Sequence, residues 1–147
     1  MFMEKEKEKE KELNNLFETS IQVVMLPKDT NQFGTIFGGI ILSYIDQAAF
    51  IEASKHGLHR WVTASIQKVD FKKPVHIGDI VRFSTKTVRT GTKSVDVEVL
   101  VEAMKEKTRE LEFVADAFVT MVSIGPDGKT IPFSSPPTAH YKGNFYE

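Results

Sequence analysis

The sequence predicts an α+β domain, with one antiparallel sheet of five to six strands wrapped around a single long central helix. Three observations carry this. Five segments alternate apolar and polar residues with the period of two expected of half-buried strands. One run, Ile40 to Ala53, is apolar on most sides and long enough for a helix. The strands then follow one another without further helices, so hairpins are expected and βαβ units are not.

The elements follow in order. In TSIQVVML (Thr19–Leu26), Ile21, Val23 and Met25 share one face, and Pro27 closes the strand. The helix runs from Gly38 to Lys55, with Ser43, Gln47 and Ser54 in a narrow polar sector. WVTASIQKVDF (Trp61–Phe71) is the second strand, with Val62, Ala64 and Ile66 in phase. The phase then slips to Val69 and Phe71, which predicts a bulge near Gln67–Lys68. KPVHIGD (Lys73–Asp79) is a turn and IVRFSTKTVR (Ile80–Arg89) the third strand. SVDVEVLVEAM (Ser94–Met104) alternates most regularly. KEKTRE (Lys105–Glu110) is a charged hairpin tip, LEFVADAFVTMVSI (Leu111–Ile124) the fifth strand, and PDG (Pro126–Gly128) ends it. The domain is expected to span 14–133. Before it, EKEKEKEKE (Glu4–Glu12) predicts a charged, disordered extension over 1–13. An irregular tail over 134–147 is expected to pack at an edge or interface.

Composition narrows the function. The 147 residues are 41% hydrophobic and 27% charged, as in an ordinary globular domain. Net charge is −1, and the chain outside the Lys/Glu tract is neutral, so no basic field points to nucleic acid. No apolar run has membrane-spanning length. There is no cysteine, and His56, His59, His76 and His140 lack metal-ligand spacing, so no metal is expected. The N-terminus lacks the layout of a secretion signal, which makes the cytoplasm the expected compartment.

Asp46 interrupts the apolar helix, between Leu42, Ala53, Gly39 and Phe50 on the helical wheel. One reading makes it a half-exposed or ion-paired carboxylate. The other places it in an apolar pocket, where a carboxylate becomes more basic. Gly38 and Gly39 also have two readings. They allow close strand–helix packing, or they leave unshielded N–H groups at the positive helix end, where an oxyanion can be stabilised. RTGTKS (Arg89–Ser94) is a basic, hydroxyl-bearing turn, either a simple solvated hairpin or a cradle for phosphates. Lys72-Lys73 is a second basic candidate.

Together these residues are more specific than any one alone. The pattern Asn31-x-x-Gly34-x-x-x-Gly38-Gly39-x6-Asp46 is followed by Val62-Thr63, by Phe71-x-Lys73-Pro74-Val75-x-x-Gly78-Asp79 and by Gly91-Thr92-Lys93-Ser94-Val95. This set, from about Ser20 to Pro132, resembles the hotdog-fold acyl-CoA thioesterases, and within them the YciA-like bacterial branch. The resemblance implies a hotdog fold and hydrolysis of acyl-CoA, with Asp46 as general base or nucleophile. Asn31 would orient water or substrate, and Gly38 and Gly39 would hold the oxyanion. Phe37 and Thr63 would contact substrate, and Arg89, Gly91, Thr92, Lys93 and Ser94 would meet the CoA phosphates. Coenzyme A then enters only as part of substrate and product, with no further cofactor. The resemblance also implies a site between two protomers, in a homodimer assembled into a hexamer as a trimer of dimers. Phe37 departs from the His that many relatives carry, which argues against dehydratase chemistry. A non-catalytic acyl-CoA-binding domain and an acyl-carrier-protein thioesterase stay open as alternatives. Leu42, Phe50 and Phe37 are expected to set pocket depth.

Overall fold

The computed structural model describes residues 3–6 and 16–138. Strand β1 is Glu18–Val24, followed by a 3-10 turn at Pro27–Asp29 and by helix α1, Gly38–Ser54. Strands β2 (Arg60–Phe71), β3 (Ile80–Thr90), β4 (Ser94–Met104) and β5 (Leu111–Ile124) complete the sheet. All pairs are antiparallel, in the order β1-β3-β4-β5-β2. Helix α1 touches all five strands. The expected helix enclosed by an antiparallel sheet is thus observed, with five strands.

Strand β4 shows why the sheet forms here. Val95, Val97, Val99, Val101 and Ala103 are fully buried, while the residues between them are half-buried. Each such valine contributes about 1.5–3 kcal/mol by leaving water. They meet Ile41, Ile45, Ala48, Ala49 and Ala53 of α1, and Tyr44 packs on Phe83 with ring centroids 5.4 Å apart. Alanines on this side of α1 let the helix lie close to the valine face.

The pairing of β2 with β5 slips between Gln67 and Asp70, with Lys68 at φ +54°, so the expected bulge is present. A second slip lies between Thr63 and Ser65. It corrects the phase expected for the start of this strand. Trp61 is 5% exposed and Val62 45%, because Trp61 is anchored by its indole N–H to Gly57 O at 3.0 Å. Trp61 and Thr63 therefore face the helix, and only beyond the slip does Ile66 turn inward.

Leu42, Phe50 and Ile51 of α1 are exposed along with Ser43, Gln47 and Ser54. The sheet covers one side of the helix, and among the described residues nothing covers the other. Strand β2, at the sheet edge beside this face, has one side of its backbone unpaired.

Residues 3–6 form one helical turn, and the rest of the expected charged extension lies outside the described residues. Residues 131–138 pack as a strap over one end of the sheet. Ile131 N donates to Ser123 O, Phe133 N to Thr92 O and Thr138 N to Leu58 O. The Phe133 ring lies 5.9 Å from both His56 and Trp61, and His59 Nε2 donates to Phe133 O at 2.9 Å. The tail thus begins as an irregular edge segment; 139–147 fall outside the described residues. No helix among the described residues is long and apolar enough to cross a membrane.

Candidate functional site

The loop before α1 is built by two short acidic or amide side chains. Asp29, buried in the 3-10 turn, accepts Leu26 N at 3.0 Å through Oδ2 and offers its carbonyl to Phe37 N at 2.8 Å. Asn31 Oδ1 accepts Phe33 N at 2.9 Å and Thr35 N at 3.2 Å, and its Nδ2 donates to Thr35 Oγ1 at 2.9 Å. This is an Asx turn, in which a side chain stands in for backbone acceptors. Gly34 supplies the φ of +82° that the turn needs. Ile36 N then donates to Val75 O at 2.8 Å, which ties the loop to the segment after β2.

Helix α1 begins at Phe37, which provides no side-chain cap. Among the described residues, neither Gly38 N–H nor Gly39 N–H meets an acceptor, and no acid stands in the first turn. The helix start therefore presents two free donors at the positive end of its dipole. The Phe37 ring lies over Gly39, where any Cβ would collide with it. A side chain at residue 39 would have to displace the exposed Phe37 ring, so glycine here lets that ring lie over the helix start beside an open amide.

Asp46 sits two turns further along, half-exposed. Thr63 Oγ1 donates to Asp46 Oδ1, and the same hydroxyl lies 3.4 Å from Met121 Sδ. Among the described residues, no donor reaches Asp46 Oδ2. The carboxylate is thus oriented by one hydroxyl and keeps an oxygen free to accept a proton.

The β3–β4 turn lies near this pair. One row across the sheet runs Thr90, Val95, Met121, Thr63. Val95, just after the turn, is therefore about 10 Å from Thr63, two strand spacings, and Thr90, just before it, about 14 Å, three spacings. Gly91 N donates to Ser94 O at 2.8 Å, and the carbonyls of Thr92 and Lys93 accept Phe133 N and Ser123 N. These bonds hold the turn from below and leave Arg89 and Lys93 exposed, with no acid in ion-pair range among the described residues.

So one chain brings Asp46 to Thr63 and places Gly38, Gly39 and Phe37 together at the helix start. It does not bring Asn31 to Asp46: every polar partner of Asn31 is in its own loop. Two features escaped the sequence reading. One is a cavity of about 340 Å³ beside Gly38. The other is Glu52, buried on α1, which accepts Thr85 Oγ1 at 3.0 Å, Thr87 Oγ1 at 2.9 Å and Lys55 Nζ at 3.1 Å. Burial pushes its pKa up, but bonds from Lys55, Thr87 and Thr85 outweigh this and hold it below its ordinary value.

Comparison with known proteins agrees with this architecture. The family model of the thioesterase superfamily matches residues 33–110. An uncharacterised acyl-CoA thioester hydrolase of Bacillus subtilis, YkhA, is 41% identical over 110 residues, 74% of this chain. The match spans 63% of that relative's length. A hexameric hotdog-fold thioesterase of Campylobacter jejuni superposes with a TM-score of 0.75 at 44% identity, covering 79% of this chain and 90% of the other. The acyl-CoA hydrolase of Staphylococcus aureus, solved with butyryl coenzyme A, coenzyme A and coenzyme A disulfide, gives 0.71 at 32%, covering 82% and 71%. That hydrolase was also solved as an Asn→Ala and as an Asp→Ala variant, at positions separated by the same interval as Asn31 and Asp46. The chain belongs to the thioesterase superfamily, as a member with the hotdog fold.

Proposed function

We propose that this protein hydrolyses the thioester of acyl-CoA to a carboxylic acid and coenzyme A, at a site shared by two protomers. The observation that carries the reading is Asp46: a half-exposed carboxylate with a single hydroxyl donor, on a helix face that nothing among the described residues covers. A water held at the free Asp46 oxygen loses its proton to the carboxylate as it attacks the carbonyl carbon. The oxyanion is met by the amides of Gly38 and Gly39. Its collapse breaks the carbon–sulfur bond and releases a thiolate. Thiols have pKa values near 8.5, so this departure needs little assistance. Direct attack by Asp46, through an anhydride, uses the same groups.

One helix cannot do both jobs on one carbonyl. Gly39 and Asp46 are seven residues apart on α1, about 10 Å at 1.5 Å per residue. Antiparallel pairing of two β2 edges would turn the Gly38 end of one protomer toward the Asp46–Thr63 pair of the other. It would also cover Leu42, Phe50 and Ile51, and join Asp46 to Asn31 of the partner subunit. The dimer is therefore the minimal active unit, and a hexamer like that of the Campylobacter jejuni protein is its expected assembly. The exposed turn at Arg89, Gly91, Thr92, Lys93 and Ser94 receives phosphates of coenzyme A, and Phe37 and Thr63 border the thioester. The cytoplasm is the proposed compartment.

The test is an acyl-CoA hydrolysis panel with Asp46→Ala and Asn31→Ala. Asp46→Ala is expected to lose 10²-fold or more in kcat, on the order seen when a general base is removed. A folded Asp46→Ala enzyme with near wild-type kcat would sink the mechanism. Tight binding of acyl-CoA by the wild type without thiol release would turn the reading to a non-catalytic binding domain.

A further inference from the structure

The turn between β3 and β4 is held by its carbonyls. Phe133 N donates to Thr92 O at 3.1 Å and Ser123 N to Lys93 O at 3.0 Å, whereas among the described residues the N–H of Lys93 meets no acceptor. Thr92 O and the Lys93 N–H belong to one planar trans peptide, so they point in opposite directions. The strap that binds the oxygen therefore turns the N–H away from itself, at a turn where Arg89 and Lys93 are exposed. We propose that His59 is a positioning residue for coenzyme A: through Phe133 of the strap it fixes this peptide, and the Lys93 N–H joins the Arg89 and Lys93 side chains in receiving a phosphate. The inference rests on the reading that this turn meets the phosphates, and adds the residue that sets the turn's geometry.

Three observations make His59 the grip on the strap. The first is its bonding. His59 is 5% exposed, in the segment that joins α1 to β2. Its Nε2 lies 2.9 Å from Phe133 O, which can only accept, so Nε2 carries the proton. Its Nδ1 lies 2.8 Å from Thr138 Oγ1, so one ring holds the strap at two places. The second is close approach. A Cβ on Gly57 would stand 2.8 Å from Phe133 O and 2.9 Å from His59 Cδ2, so the strap carbonyl reaches the ring only because residue 57 has no side chain. The third is continuity. Phe133 is bonded at both of its backbone groups, its O by His59 and its N to Thr92, so a shift of this residue is passed to the turn. A donor aimed before the ligand arrives saves the cost of ordering it on binding, and a bond from N–H to a phosphate is charge-assisted.

The experiment compares butyryl-CoA with the butyryl thioester of N-acetylcysteamine, which carries no phosphate, in the full-length protein. His59→Asn, too short to reach Phe133 O, should raise KM for butyryl-CoA about fivefold, the order of one hydrogen bond, and leave kcat unchanged. Its kcat/KM for the phosphate-free ester should stay at the wild-type value. His59→Gln, long enough to place an amide donor where Nε2 stands, should restore KM to within about twofold. In isotope-labelled wild type, the Lys93 amide resonance should shift on adding coenzyme A and stay in place on adding pantetheine, a readout that needs no variant to fold. The inference is overturned if folded His59→Asn raises KM for both esters alike or for neither, if His59→Gln does not restore it, or if the Lys93 resonance ignores coenzyme A. Lys93→Ala separates the two levels of the argument. A KM for butyryl-CoA raised in Lys93→Ala but not in His59→Asn removes this inference and keeps the phosphate reading; a KM raised in neither removes both.

Discussion

Helix α1 offers two carboxylates to the sheet and treats them in opposite ways. Glu52 is 7% exposed and is met by two threonine hydroxyls of β3 and by Lys55, which also bridges to Glu18 at 2.9 Å. Asp46 is half-exposed and met by one threonine of β2. Both are acids on one apolar helix, each bonded to threonine from an opposite side of the sheet. The difference is saturation. A carboxylate with three donors is stabilised as an anion and has little capacity left to take a proton. A carboxylate with one donor is aimed but not filled. Acidity inside an apolar helix is therefore not the mark of chemistry; incomplete satisfaction on an uncovered face is.

Amide-isostere variants break the comparison most sharply. Asp46→Asn is expected to lower kcat/KM by 10²–10⁴-fold while the melting temperature stays within about 2 °C, because the amide oxygen still accepts from Thr63. Glu52→Gln is expected to do the reverse. It should cost about 2 kcal/mol of stability by removing the charge that Lys55 and the hydroxyls address, with kcat within about twofold. Paired thermal melts and steady-state assays decide this, and equal losses of activity in the two would erase the distinction.

A smaller effect is expected with pH. Burial raises the pKa of Asp79, but bonds from Lys105 and the His76 and Glu106 amides lower it further, so both Asp79 and Glu52 lie below their ordinary values of 3.8 and 4.5. Acids depressed by folding stabilise the native state fully above those ordinary values, and the contribution is lost as pH falls through the lower folded ones. Denaturant midpoints should be flat above about pH 5 and fall progressively below it. In Glu52→Gln the fall should be shallower. The smallest effect is expected away from both acids. Lys93→Ala should raise KM for acyl-CoA by about threefold, less at high salt, and leave kcat alone.

Much of this was legible in the residues. Strands β4 and β5 and the start of α1 match their expected limits because strict alternation and the Gly-Gly pair mark them. The first half of β2 was misread because the slip after Thr63 leaves no trace in the hydrophobic pattern, whereas the later one coincides with a visible phase change. The turn-forming part of Asn31, whose side chain bonds Phe33 N, Thr35 N and Thr35 Oγ1, is a local role that an Asn three residues before a glycine already suggests. Glu52 lies within the apolar run Ile40–Ala53 and draws no attention there. A signal for it did exist: Thr85 and Thr87 continue the inward phase of Val81 and Phe83, and polar residues on a core face need a partner from the element above. Pairs that meet only through the fold, such as Thr63 with Asp46, have no local signature.

The strand order also has a consequence for how the chain acquires its shape. Strands β3, β4 and β5 form a meander of neighbouring hairpins, but β1 and β2 pair only with strands far along the chain. Asn31, Asp46 and Thr63 all precede that meander, so during synthesis they emerge before the surface on which they are to be ordered. The apolar helix between them waits, solvent-facing, until residues 80–124 supply the meander, and one face waits longer still for a second chain. For this protein the slow, aggregation-exposed interval of folding and the assembly of the reactive centre are expected to be one event.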